Sequence, residues 1–227
     1  VSGQRGGAAA GPAAGYLGLP VGEFLDALSA TAPGPSGGAI AALAVAFAAG
    51  LCVMVAGLST RHLPAGPAGR NPCAEPGAEH PAEPGLTAEA LAQRAGQLSD
   101  RVAPLADADA EGYRAVLAAL RARDEPARRA ALSAASAVPM QVTQIGAEVA
   151  GIAAALAARG NPRLRGDAIT AALLAAAGSR AAAVLVRINL VEDAGDAGET
   201  GDARPGEAER LAADAARLAS EAERAAR

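Results

Sequence analysis

The sequence predicts an all-α protein, an up-and-down bundle of long helices with no significant sheet. Three features carry that prediction. Half the chain is apolar (51%), yet aromatics make up only 2%, because alanine, the best helix former, supplies much of the apolar content. Isoleucine, threonine and tyrosine are sparse and strict alternation is rare, which argues against extensive strands. Apolar residues also recur at steps of three and four in several segments, the period of helices that bury one face. The 227 residues can bury roughly 70–75% of the unfolded surface, enough for a core without disulfide or metal.

Residues 1–17, beginning "VSGQRGGAAAGPAAG", read as a disordered leader. They lack the apolar core of a signal peptide, so a cytoplasmic protein is expected. Residues 18–192 read as one helical domain. "VGEFLDALSA" (Val21–Ala30) is a short amphipathic helix with Phe24, Leu25 and Leu28 on one side. A Pro/Gly loop leads into twenty uncharged residues, Ala39 to Leu58. Residues 62–86 are Pro/Gly-rich, and a mobile connection is expected there.

Thr87 is placed to cap a helix whose stripe is Leu91, Ala95, Leu98, Val102, Leu105, Asp109, Tyr113, Val116 and Leu120, with Pro104 as a potential kink. Asp124-Glu125-Pro126 signals another start, followed by the stripe Val142, Ile145, Val149, Ile152 and Leu156. Gly160-Asn161-Pro162 stops it, with glycine at the position after the helix, and Asp167 is placed to cap the next helix, to about Leu190. Residues 193–227 read as an acidic linker and a last helix with a thin stripe, Leu211, Ala215 and Leu218, expected to be solvated or to contact a partner.

Composition narrows the function. The net charge is −4 and no basic face is visible, so nucleic acid is not an expected partner. All 20 basic residues are arginine, which excludes a Schiff-base lysine and the lysine of a phosphate-binding loop. Cys52 and Cys73 form at most one pair, and Cys52 within the apolar run reads as a buried thiol. No Cys/His spacing suggests a metal site. His62 and His80 fall in the Pro/Gly connection and read as loop residues.

The uncharged run is long enough to span a bilayer of about 30 Å. Its flanks carry neither an aromatic belt nor a one-sided cluster of cations, and alanine and glycine on every side suit close helix packing equally well. A buried helix of a soluble bundle, with no membrane partner, is therefore expected.

Three blocks stand out: "VGEFLDALSATAPGPSGGAIAALAVAFAAGLCVMVAGLS", "LADADAEGYRAVLAALR" and "GNPRLRGDAITAALLAAAGSRAAAVLVRINL". Together they resemble the cyclodeaminase/cyclohydrolase family of folate one-carbon enzymes. They occur in the family's order and cover most of residues 21–190. The chain departs from the family pattern at Gly34, at Ser36-Gly37-Gly38-Ala39, at Leu185, and in lacking a lysine-rich stretch after the uncharged helix. The resemblance implies an all-helical, dimeric enzyme with a tetrahydrofolate derivative as substrate and no cofactor. Hydrolysis of 5,10-methenyltetrahydrofolate to the 10-formyl form is the expected activity. Cyclodeamination of the 5-formimino form, or a binding or scaffold role without catalysis, stands as an alternative.

Either reaction needs a base and then an acid. Asp109, a carboxylate on an apolar stripe, is the residue that desolvation suits for proton transfer. The resemblance makes Asp109 and Asp167 the catalytic candidates, although Asp167 also reads as a helix cap. Ser36, Gly37, Gly38, Tyr113, Asn161, Arg187 and Asn189 are the substrate-binding candidates. Gly37 and Gly38 open a helix whose backbone N–H groups can meet an anion or carbonyl, or form only a tight turn. Tyr113 can pack on a pterin or sit in the core, and Asn161 also reads as an ordinary stop. Arg187 can bind a folate carboxylate or pair across subunits. Arg61 is a second candidate for the folate tail, and Arg70 is expected to be dispensable.

Overall fold

The computed structural model describes residues 15–31, 34–63, 87–191 and 202–226. Among the described residues there are eight α-helices and no strand: α1 Val21–Ser29, α2 Gly37–Gly57, α3 Ala88–Val102, α4 Leu105–Ala122, α5 Glu125–Ala135, α6 Ala137–Arg159, α7 Arg165–Val191 and α8 Arg204–Arg224. The bundle is all-α, as the composition and periodicity predict. Arg70, Cys73, His80, most of the expected leader, most of the 62–86 connection and most of the acidic linker lie outside the described residues.

Two helix starts obey the capping rule. Thr87 Oγ1 accepts from the Ala90 N–H at 3.1 Å, and Asp124 Oδ1 from the Ala127 N–H at 2.9 Å. The two long helices expected over 87–120 and from 124 to 159 are each divided. The first breaks at 103–104, with Pro104 as the residue ahead of α4, because proline has no N–H to continue the ladder. The second breaks at Ser136, and Pro139 falls in the first turn of α6, where its missing N–H costs nothing.

The core is built on alanine. α6 packs against α2, α7 and α8, and α2 also packs against α7 and α3. α2 and α7 run antiparallel: Gly178 of α7 meets Ala41 and Val45 near the start of α2, while Asn161, just ahead of α7, bonds Leu58 and Ser59 at its end. A Cβ on Gly178 would lie 2.8 Å from the Ala41 carbonyl oxygen and 2.7 Å from Val45 Cγ2. Backbone cannot yield as a side-chain tip does, so Gly178→Val is expected to cost about 1–3 kcal/mol by overpacking, read as a lower urea midpoint. Between α6 and α7, the fully buried Ser179 hydroxyl donates to the Thr143 carbonyl at 3.0 Å, and the Thr143 hydroxyl donates to the Pro139 carbonyl at 2.9 Å. Each buried hydroxyl is thereby satisfied.

Several expectations need correction. α2 is buried on one face only. Ala39, Ala42, Val45, Ala49, Cys52 and Ala56 are inside, while Ile40, Phe47 (64% exposed), Val53, Met54 and Leu58 are outside. Burial pushes the Cys52 thiol up to about 12, so it packs as a small apolar group. By length and composition α2 could cross a membrane, as could the spans Glu125–Arg159 and Pro162–Leu190. On α1 only Phe24 packs against the core; Leu25 and Leu28 are exposed. The last helix is not merely solvated: Ala208, Ala212, Ala215, Ala219 and Ala222 bury a stripe of α8 against α6 and α7. Arg204 pins its start, donating to the Ser133 carbonyl at 3.1 Å and the Ser136 hydroxyl at 2.7 Å. Its hydrogen bonds hold the Asp202 carboxyl below the usual carboxylate range.

Candidate functional site

The start of α2 is where the candidate residues converge. Ser36 occupies the position before the helix in extended backbone (φ −110°, ψ −179°), but its side chain caps nothing there. It donates instead to Asp109 Oδ2 on α4. The first N–H groups of α2 are left without a side-chain cap, and they form the positive end of the helix dipole. Gly38 is buried against the same carboxylate: a Cβ built on it would fall on Asp109 Cγ and both oxygens. Gly37 is exposed, with nothing within 4 Å of the place its Cβ would take. Ser36, Gly38 and Asp109 thus form one contact, across 73 residues of sequence.

Asp109 is half-buried on α4. The buried face of α4 is Ala106, Ala110, Val116 and Ala119. Tyr113, one turn on from Asp109, is 54% exposed, which removes the core reading and leaves its ring free on the same face.

The other candidates sit elsewhere. Asn161 spends its groups on structure: its N–H donates to Ser59 Oγ at 2.9 Å, its Nδ2 to the Leu58 carbonyl at 3.2 Å, and its Oδ1 accepts from the Arg163 N–H at 3.1 Å. Gly160 is extended (φ −74°) and not left-handed. Glycine is needed there because a Cβ would press on the Leu156 carbonyl and lie 3.1 Å from Ser59 Oγ. Asn161 therefore caps the turn before α7, and Asp167 lies in the first turn of α7 without being its cap. The 21 residues of α2 at 1.5 Å each separate this corner from Asp109 by about 30 Å. Arg187 is directed to α8, with its Nε 3.9 Å from Glu209 Oε1. That pair is within the chain. Asn189 is half-buried near the end of α7, and Arg61 is exposed after α2.

The structure adds residues that the sequence did not single out. The Gly15–Gly18 turn, assigned in part to the leader, is ordered, with Tyr16 only 9% exposed. Its N–H donates to Asp107 Oδ1 at 2.8 Å, two residues before Asp109. Burial pushes the Tyr16 phenol up; Arg114 opposes that, and Asp107 and Asp109 add to it. The Asp-Ala-Asp spacing at 107–109 was the available signal. At the far corner, Arg165 Nε is buried without a hydrogen-bond partner, a feature no sequence pattern marks.

Chemically, the mouth of α2 offers one hydrogen-bonded carboxylate, the uncapped N–H groups of a helix start, and an aromatic ring one turn away. This set can move a proton and can hold a ligand's carbonyl or anion. Among the described residues, no cluster of three His, Cys, Asp or Glu side chains could hold a metal.

No curated protein matches the sequence. The crystal structure of formiminotetrahydrofolate cyclodeaminase from Thermotoga maritima superposes with a TM-score of 0.74 at 25% identity, over 92% of this chain and 96% of that one. The family model for formiminotransferase-cyclodeaminase matches residues 20–197, more than half of the chain. The chain belongs to the formiminotransferase-cyclodeaminase family.

Proposed function

We propose that the protein is a folate one-carbon enzyme, a formiminotetrahydrofolate cyclodeaminase, with Asp109 as its acid/base. The observation that carries this reading is the Ser36–Asp109–Gly38 contact at the mouth of α2. In cyclodeamination, N10 of the folate attacks the formimino carbon attached to N5. Asp109 takes the N10 proton as the new C–N bond forms. It then returns that proton to the amino group, which leaves as ammonia when its C–N bond breaks. The product is the 5,10-methenyl ring. The Ser36 hydroxyl holds Asp109 Oδ2 and so fixes the carboxylate at the mouth of α2. One carboxylate can serve both steps because the proton it takes in the first is given up in the second, which restores its starting state.

Methenyltetrahydrofolate hydrolysis is the second reading. It uses the same carboxylate, with water in place of N10 and ring opening in place of ammonia loss. The Thermotoga protein that superposes over nearly its whole length is named a cyclodeaminase, and that favours deamination over hydrolysis. Purified protein given 5-formiminotetrahydrofolate should release ammonia in step with methenyl absorbance. Ring opening of added 5,10-methenyltetrahydrofolate without ammonia chemistry would select hydrolysis.

The working form in this reading is a cytoplasmic homodimer, formed across the uncharged outer stripe of α2. Ile40, Phe47, Met54 and Leu58 supply it, over about 30 Å of helix. A twofold with the two α2 helices antiparallel sets the Asn161–Asp167 corner of one copy beside the Asp109 mouth of the other. That arrangement would reunite the family blocks now held at opposite ends of one chain, and Arg165 would bring a cation for the folate tail. Mixing inactive Asp109→Asn and Asp167→Asn chains should then restore about a quarter of the wild-type sites, because half of the dimers formed hold one intact site of two. No recovery on mixing would place Asp167 outside the site.

A further inference from the structure

Asp109 is not the only carboxylate of α4 that fills the space beside a glycine. Asp107 does the same at Gly15. The backbone of Gly15 is left-handed (φ 66°), and the place its Cβ would take is filled by the Asp107 carboxylate. Only glycine satisfies both conditions without strain. The adjoining Tyr16 N–H donates to Asp107 Oδ1 at 2.8 Å, joining segments 91 residues apart. The Tyr16 ring is buried edge-on against Phe24 of α1, with centroids 5.9 Å apart and planes at 79°. Residues two apart on a helix project about 200° apart, so the two carboxylates leave α4 in different directions. One is seated on the turn before α1 and the other on the mouth of α2.

We propose that Asp107 is a positioning residue for the acid/base: its seat on the Gly15–Tyr16 turn fixes the rotation of the first turn of α4, and through it the place of Asp109 against Ser36 and Gly38. The inference rests on the reading of Asp109 as the acid/base. The role belongs to the hydrogen bond and the fit, not to the charge, because Tyr16 offers Asp107 a neutral backbone donor. An asparagine oxygen can accept that bond equally; an alanine cannot.

The test compares Asp107→Ala, Asp107→Asn and Gly15→Ala with Asp109→Asn in the full chain. It reads kcat and KM on 5-formiminotetrahydrofolate, and amide hydrogen exchange at Tyr16. Asp107→Ala and Gly15→Ala should lower kcat about tenfold or more with KM little changed, since small misplacements act on the chemical step. Asp107→Asn should keep kcat within about threefold of wild type, because the acceptor is retained. The Tyr16 amide should be protected in wild type and Asp107→Asn and unprotected in Asp107→Ala, a readout independent of catalysis. Wild-type kcat in Asp107→Ala overturns the proposal, as does an Asn variant as slow as the Ala variant, which would assign the effect to charge. A protected Tyr16 amide in Asp107→Ala overturns the latch even if that variant loses activity by misfolding. If Asp109→Asn turns over at full rate, it is the acid/base reading that fails. If Asp109→Asn is slow and Asp107→Ala is not, only the latch fails.

Discussion

Asp109→Asn is expected to leave the bundle folded and to lower kcat by about 10²–10⁴, equivalent to roughly 3–5 kcal/mol of barrier. The amide fills the same volume and can still accept from the Ser36 hydroxyl, so the contact with α2 persists. What is lost is the ability to take and return a proton. Binding should change little, because the folate's ring and tail are held by other groups. The measurement is steady-state turnover beside folate affinity for the two proteins. A variant at wild-type rate would remove Asp109 from the mechanism, whatever the fold resemblance.

Gly38→Ala is expected to do nearly as much damage with a single methyl group. The new Cβ would fall on the Asp109 carboxylate, and α2 cannot retreat because Ala39 and Ala42 beside it are fully buried. Asp109 must turn away, breaking its bond from Ser36. A displacement on the order of 1 Å at a reacting group costs about 10²-fold in rate. Gly37→Ala is the contrast: nothing lies within 4 Å of its Cβ position. Asp109 stays in place there, and the effect should appear in KM, where a ligand approaches the helix start. Equal kcat losses at both glycines would mean that the helix start itself, and not the seat of Asp109, is what catalysis requires.

Much of the helical order was legible because it is local. Thr87 and Asp124 cap as their types predict, and the stripes Leu91–Val102 and Val142–Leu156 are buried as their spacing requires. The breaks were harder. Pro104 was read as a kink, but it ends one helix and begins another. At the Ser136 break the hydroxyl accepts from the distant Arg204, a contact that no local pattern marks. Asp167 looked like a cap because its type suits one, yet Asn161 takes that place and starts a 3-10 turn ahead of α7.

The candidate site was legible in some of its residues and not in its arrangement. Asp109 and Gly38 were marked by an odd carboxylate on a stripe and by glycines before a helix, but nothing local joins residues 73 positions apart. Asn161 and Arg187 carried the right chemistry, and the structure directs them to Ser59 and Glu209. The Tyr16 turn was hidden because it follows a low-complexity leader whose composition suggests disorder. The apolar stripe of α2 was read as wholly buried, since an uncharged run does not say which face meets the protein's own core and which is left for another surface.

The central claim is that Gly38 and Asp109 act as one unit at the mouth of α2, and a double-mutant cycle on kcat tests it most directly. If Gly38→Ala acts only by displacing Asp109, it should cost little once the carboxylate is gone. The Gly38→Ala/Asp109→Asn double variant should then turn over 5-formiminotetrahydrofolate within about threefold of Asp109→Asn alone. Losses that multiply, with the double variant slower by the full product of the two single effects, would contradict the account and place the role of Gly38 elsewhere.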